Sequence, residues 1–304
     1  MHASAEETLS GAGLLAWRRA LLLQGGLAAN FDWLLDLAGG LDGPARQRLW
    51  LDPHQPVPLH RSRADLEALW FRHRRDHTPL QYLVGRCPWR DFDVQVGPGV
   101  LIPRPETEQL IDLAVEAMGP AALKAPLRWA DLGTGSGCLA LALSRLLPAS
   151  RGVAVDFSAA ALLQAEANLQ AADLLHRVDL REGCWWSPLE PLDGGLDLVV
   201  SNPPYIPSPL LPCLDPVVRL HEPWLALDGG EDGLEALRQI IQSAGRALAP
   251  GGWLLLEHHH DQGESVRGLL AAAGLEQVGS HQDLEGRCRF SGARHGEVPS
   301  ACYR

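Results

Sequence analysis

From residue 127 onward, short apolar runs alternate with longer amphipathic ones. That alternation restricts the chain to a parallel sheet wound with helices on both faces. Strands are expected over 127–132, 152–155, 177–181, 196–200 and 253–256, with a further strand over 287–290. Helices are expected over 138–147, stopped by Pro148, then over 159–172, 232–248 and 266–273. Leu234, Leu237, Ile240 and Ile241 supply the inward face of the long helix. Residues from Arg294 on read as a loose tail.

Two of the predicted strands end in unusual chemistry, at the edge of an open α/β sheet where ligands bind. After the first comes Asp131-Leu132-Gly133-Thr134-Gly135-Ser136-Gly137. Its glycines let backbone approach a ligand with no Cβ in the way, and the helix that follows opens with unpaired N–H groups. The spacing is neither Gly-x-Gly-x-x-Gly nor Gly-x-x-x-x-Gly-Lys, and the absence of the latter excludes a triphosphate-cradling loop. Asp156 closes the next strand. There an acidic side chain accepts the two hydroxyls of a ribose or, on the plainer reading, caps the following helix. The apolar run Leu198-Val199-Val200 stops at Asn202-Pro203-Pro204-Tyr205, because two prolines cannot continue a ladder. Taken alone, Asn-Pro is also an ordinary turn.

Before the alternating region, residues 1–77 read as a small helical domain. Leu14, Leu15, Trp17, Leu21 and Leu22 form one apolar set, and Asn30 is expected to cap a helix carrying Phe31, Leu34 and Leu35. Ser62 with Asp65 resembles a capping box ahead of Leu66, Leu69 and Trp70. The arginines from Arg61 to Arg75 read as a solvated helix face or, less simply, as a partner-binding one. Residues 78–103 are expected to form a hairpin linking two domains: a strand through Phe92, Val94 and Val96, a turn at Gly97-Pro98-Gly99, and a return strand over 100–102. The main domain then spans 104–304.

The net charge of −11 disfavours broad binding to a phosphate backbone. No apolar run approaches the roughly 20 residues of a membrane span, and the acidic N-terminus lacks the basic start of a secretory signal. The six cysteines are scattered without a Cys-x-x-Cys pair, which fits a reducing, cytoplasmic setting and implies neither zinc nor a disulfide framework. His258-His259-His260 reads as a solvent-facing turn rather than a metal site, so no metal is expected.

Taken together, the glycine loop, the acidic strand end and Asn-Pro-Pro-Tyr resemble the S-adenosylmethionine-dependent methyltransferases that modify planar nitrogen. Pro79-Leu80-Gln81-Tyr82-Leu83, Leu101 to Glu108, Ser201 to Ile206 and Leu254-Leu255-Leu256-Glu257-His258 follow in order, and with them the chain resembles the peptide chain release factor glutamine methyltransferases, the PrmC/HemK family. The resemblance runs from about Thr78 to Phe290. It implies a seven-stranded Rossmann-like sheet whose final strand is antiparallel, with 287–290 in that place. It implies S-adenosylmethionine as methyl donor, held by Gly133, Thr134, Gly135, Ser136, Gly137, Asp156 and Asn202. Trp185 is expected to stack on adenine and Trp186 to pack, although either tryptophan also suits a core; Cys184 stands where the family often has an acid. The implied substrate is the glutamine of the Gly-Gly-Gln loop of class I release factors, gripped by Asn202, Pro203, Pro204 and Tyr205. Asn202 and the Pro203 carbonyl would accept its two amide hydrogens while Tyr205 stacks on the amide plane. Glu222 with Pro223 would serve as a brace or a substrate contact. Two rivals share this chemistry: a ribosomal-protein glutamine methyltransferase, and a nucleic-acid base-amine methyltransferase, for which no direct nucleic-acid substrate is expected given the acidic charge. A binding module that has lost catalysis is a third.

Overall fold

The computed structural model describes residues 7–120, 124–191 and 193–296, so most of the expected C-terminal tail lies outside the described residues. The chain divides into two compact units, residues 1–86 with 216–221, and residues 87–215 with 222–304.

In the first unit, β1 (Glu7–Ser10), α1 (Gly11–Leu23), α2 (Ala28–Gly39), α3 (Gly43–Leu51), β2 (Pro56–Leu59), α4 (Arg63–Asp76) and α5 (Leu80–Val84) follow in order. Their core is aromatic: Phe31 stands edge-on to Trp17 and Trp70, with ring centroids 5.4 and 5.1 Å apart. Ser62 caps α4, its hydroxyl accepting from the Asp65 N–H at 3.1 Å. Asn30 does not cap α2, which begins two residues earlier after Leu27; the Asn30 amide meets the His73 ring at 3.1 Å instead. The β1–β2 ribbon was not expected, because Pro56 and Pro58 break the usual strand signature. They are tolerated because they occupy exposed positions of an edge strand while Val57 and Leu59 point inward. The arginine run on α4 is largely spent locally. Arg63 pairs with Glu7, Arg75 with Asp76, and Arg74 donates to the Gln24 carbonyl. Among the described residues no helix is long and apolar enough to cross a membrane.

A hairpin follows, β3 (Arg86–Trp89, all but its first residue in the second unit) and β4 (Phe92–Gln95), turning at Arg90 and Asp91. The turn expected at 97–99 is present, the Val100 N–H donating to the Gly97 carbonyl at 3.3 Å, but the return strand expected over 100–102 is not formed and is corrected. Val100 and Ile102 are buried, but the Ile102 N–H finds its acceptor in the Glu222 carboxylate rather than in a neighbouring strand. The α/β alternation follows: α6 (Glu108–Met118), β5 (Arg128–Leu132), α7 (Cys138–Leu146), β6 (Arg151–Asp156), α8 (Ala159–Ala171), β7 (Val178–Glu182), β8 (Leu196–Ser201), α9 (Pro216–Arg219, in the first unit), α10 (Glu235–Ala247), β9 (Leu248–Glu257), α11 (Gly263–Ala272), β10 (Glu276–Gln282) and β11 (Cys288–Arg294).

The seven strands lie in the order β10-β11-β9-β8-β5-β6-β7. β5 to β9 run parallel, and β11 enters antiparallel between β9 and β10. One face carries Ala130, Leu132, Val155, Val199, Leu254 and Leu256 against Leu237, Ile240 and Ile241 of α10 and Val266 and Leu270 of α11. The opposite face is covered by α6, α7 and α8. After β5 the chain winds outward to β6 and β7, then returns to the other side of β5 as β8. The order thus reverses between β5 and β8, and the crevice at their carboxyl ends is where an open α/β sheet takes a ligand.

Candidate active site

In the parallel β5–β8 pair Asp131 stands opposite Val200. Two residues later, Gly133 and Asn202 leave the sheet side by side. The glycine turn is held by backbone: the Gly133 and Thr134 N–H groups both donate to the Val155 carbonyl, at 2.8 and 2.9 Å. Gly133, Gly135 and Gly137 all have positive φ, at 77°, 55° and 82°. Below the turn, the Thr134 hydroxyl donates to Asp131 at 2.7 Å; burial nevertheless pushes the Asp131 carboxyl up to about 7. The Asp156 carboxylate accepts from the Gly135 N–H (2.8 Å) through one oxygen and from the Ser158 N–H (2.9 Å) through the other. Ser158, not Asp156, caps α8. Asp156 thus fastens the loop to the helix start and keeps a free lone pair on each oxygen for a vicinal diol.

The Asn202 loop is held from several elements. The Ser201 hydroxyl donates to the Leu132 carbonyl at 2.6 Å, tying the two loops together. The Asn202 amide Nδ2 donates to Thr107 Oγ1 at 3.0 Å, Thr107 donates to Glu257 Oε2 at 2.7 Å, and the Tyr205 hydroxyl donates to Glu257 Oε1 at 3.2 Å. Burial pushes the Glu257 carboxyl up to about 7, although both hydroxyls favour its ionised form. Burial and the neighbouring Glu257 charge raise Tyr205 as well. Behind the loop the Gln262 amide donates to the Tyr205 carbonyl at 3.0 Å and to the Gly233 carbonyl at 3.1 Å. Gly233 sits at φ 74°, and a Cβ there would lie 2.4 Å from that same Tyr205 oxygen. Glu222 is a brace: its side chain is 1% exposed and accepts from the Ile102 N–H (3.1 Å) and from Arg104 (2.7 Å).

These loops wall a cavity of about 410 Å³. Of the residues expected from sequence, Gly133, Thr134, Gly135, Ser136, Asp156, Trp185, Asn202 and Pro204 line it; Gly137, Pro203 and Tyr205 do not. Trp185 holds a positive φ of 49° with its ring against Gly133, whereas Trp186 is buried and donates its indole N–H to the Ile240 carbonyl at 3.0 Å. Cys184 also lines the wall, with Phe157, Gln239, Leu101 and Arg104. Thr107, Gln262 and the Gly229–Gly233 stretch were not singled out from sequence. The glycine cluster was the only signal for the last of these; Thr107 lies within the Leu101 to Glu108 motif, which gave it no role of its own, and nothing local marks Gln262. The histidine run is not the solvent-facing turn expected: His258 is fully buried between the His259 carbonyl and the Ser291 hydroxyl, both 2.8 Å away, and only His260 is exposed. Among the described residues no three potential metal ligands cluster.

The cavity fits S-adenosylmethionine. Its volume lies in the range of small-molecule sites. It has an apolar wall at Trp185, Leu139 and Phe157, and a carboxylate with acceptor capacity to spare at the end of β6.

Comparison with known proteins agrees with this reading. A family model, the Methyltransferase small domain, matches residues 111–208. The release factor glutamine methyltransferase of Prochlorococcus marinus is 48% identical over 94% of this chain and 98% of its own length. That of Gloeobacter violaceus is 47% identical over 84% of this chain and 87% of its own. Among solved structures, the hMettl16 catalytic domain in complex with MAT2A 3′UTR hairpin 6 shares the fold, with a TM-score of 0.53 and 15% identity over 78% of this chain and 81% of that one. With identity this high over nearly the whole length, the chain belongs to the release factor glutamine methyltransferase family, whose methyl donor is S-adenosylmethionine.

Proposed function

We propose that the protein methylates the side-chain amide nitrogen of the glutamine in the Gly-Gly-Gln loop of class I peptide chain release factors. The observation that carries this reading is the Asn202 side chain. It stands at the cavity wall beside the glycine turn, with its Nδ2 committed to Thr107, so that its oxygen is left for a donor from outside.

A carboxamide nitrogen is a weak nucleophile because its lone pair is delocalised into the carbonyl. The Asn202 oxygen and the Pro203 carbonyl accept its two hydrogens and aim the nitrogen across the cavity. Proline suits this, since it brings a carbonyl and no N–H donor. Gly133, Thr134, Gly135 and Ser136 line the side where the donor lies. Asp156 accepts the ribose hydroxyls and Trp185 covers the adenine. Bound S-adenosylmethionine supplies an electrophilic methyl carbon and leaves as a neutral thioether. The nitrogen loses a proton to water once the N–C bond has formed, so no side chain is assigned as a base. Orientation of this kind contributes on the order of 7–11 kcal/mol to lowering a barrier.

The test offers the purified protein tritiated S-adenosylmethionine with a class I release factor, its Gly-Gly-Ala variant, ribosomal protein, DNA and RNA. Label is expected on the unaltered release factor alone. Label on the Ala variant or on nucleic acid overturns the assignment.

A further inference from the structure

Three groups form one hydrogen-bonded chain with Asn202, Thr107 at the cavity wall and Glu257 and Tyr205 away from it, and each comes from a different part of the fold. Thr107 immediately precedes α6, Glu257 ends β9, and Tyr205 follows β8. The chain runs Asn202 to Thr107 (3.0 Å), Thr107 to Glu257 (2.7 Å) and Tyr205 to Glu257 (3.2 Å). Thr107 is 2% exposed and Glu257 1%. We propose that Glu257 and Thr107 are positioning residues that set which end of the Asn202 amide faces the substrate.

An asparagine amide is nearly symmetric in shape, and rotation by half a turn exchanges an acceptor for a pair of donors. Packing alone therefore selects its direction weakly. An ionised carboxylate selects it strongly, because it only accepts. Both oxygens of Glu257 are engaged by hydroxyls, so the single Thr107 proton is spent on Glu257. What remains on Thr107 is lone pairs, and the group opposite them must be the Asn202 NH₂. The Asn202 oxygen then faces the incoming carboxamide, which arrives with N–H donors. A reversed Asn202 would set donor against donor. The buried charge thus dictates a polarity that reaches the substrate through two hydrogen bonds. Asn202 makes no other side-chain hydrogen bond among the described residues that would fix it.

This inference rests on the reading that Asn202 accepts from the substrate amide. It adds that the acceptor is held by a charge and not by shape. The surroundings of Glu257 bear on its ionisation. Glu106, ahead of α6, opposes it; Arg289 on β11, itself paired with Asp283, favours it. Tyr205 holds its proton throughout the neutral range, and the neighbouring His258 ring is turned to Ser291.

The experiment compares Thr107→Val, Thr107→Ser and Glu257→Gln with the parent enzyme on release factor, and follows S-adenosylmethionine binding by calorimetry. Thr107→Val keeps the shape and removes the hydroxyl. Glu257→Gln keeps the shape and cannot accept from both hydroxyls through two carboxylate oxygens. Both are expected to lower kcat by about 100-fold, the scale of a misplaced reacting group, with KM for release factor and affinity for S-adenosylmethionine within about threefold. Thr107→Ser is expected to return most of the loss. In the parent, kcat rises with pH as Glu257 ionises, and Glu257→Gln removes that inflection. The inference is overturned if Thr107→Val turns over like the parent, if Thr107→Ser is as impaired as Thr107→Val, or if the pH profile is the same with and without Glu257. Should Glu257→Gln not fold, the two Thr107 variants decide. A parent that never methylates release factor would instead defeat the functional reading, which keeps the two failures distinct.

Discussion

At the scale of single residues, the sequence presents Gly133, Gly135 and Gly137 as one loop, but the structure divides their work. A Cβ on Gly135 would meet no protein atom within 4 Å and would stand in a residue that lines the cavity, whereas one on Gly137 would lie 3.0 Å from the Ala165 Cβ. Both have positive φ, so alanine at either costs about 1–3 kcal/mol of backbone strain. Gly137→Ala is expected to lose roughly 1–3 kcal/mol more through overpacking while keeping its affinity for S-adenosylmethionine. Gly135→Ala is expected to show the reverse, a modest stability loss and clearly weakened binding. Urea unfolding and calorimetry on the same samples check both, and equal effects from the two variants would refute the division. Asn202→Ala removes the orienting acceptor and is expected to cost about 100-fold in kcat, with donor binding largely retained. Asn202 was legible because proline made its surroundings conspicuous. Thr107 was not, because a threonine between two glutamates reads as helix-start composition and its partner lies 150 residues away.

At the scale of elements, what was legible was whatever carried its own periodicity. β5, β6, β8 and α10 were readable because apolar side chains recur at the spacing of the element itself. β10 was missed because Glu276–Gln282 is almost wholly polar and lies at the sheet edge, where one face never needed burying. The segment through Ile102 was misread as a strand because it is apolar, but its backbone donor is satisfied by Glu222, 120 residues on. Local pattern cannot register a side chain standing in for a neighbouring strand. Glu222 should therefore matter more than its place in a loop implies. Glu222→Ala leaves the Ile102 N–H unpaired in the interior and frees Arg104, and is expected to cost about 3 kcal/mol, the lower part of the range for breaking a buried pair, because Arg104 is 30% exposed and regains water. Glu222→Gln keeps an acceptor for one of the two and should lose less than half of that. Denaturant titration of the two variants measures both, and an Ala variant as stable as the parent would remove Glu222 as the brace.

At the scale of the whole molecule, the assignment of residues 216–221 to the first unit was beyond sequence reading, since it depends on where the chain returns in space; His221 meets the Asp76 carbonyl at 2.7 Å. The chemistry at the sheet's carboxyl edge was more legible in kind than in energy. Three acids, Asp131, Asp156 and Glu257, end or nearly end β5, β6 and β9, and burial raises all three, Asp131 and Glu257 to about 7. An unfolded chain holds such carboxyls near pKa 4. Between about pH 4 and 7 the folded protein therefore binds more protons at these sites than the unfolded one, and their contribution makes stability fall as pH rises, levelling off above about 7. The depressed carboxylates act elsewhere: Asp232 beside Arg238 and Asp261 beside His259 contribute stability that is present at neutral pH and lost only as pH falls below their unfolded values. Glu257→Gln should thus gain stability relative to the parent from about pH 4.5 to about pH 7, with a constant difference on either side, as measured by denaturant midpoints across that range. A difference independent of pH would mean that Glu257 is ionised at no unusual cost. If the difference does grow, the charge that aims Asn202 is held against the fold's own preference. Activity would then rise with pH over the interval in which stability declines, with one carboxyl responsible for both.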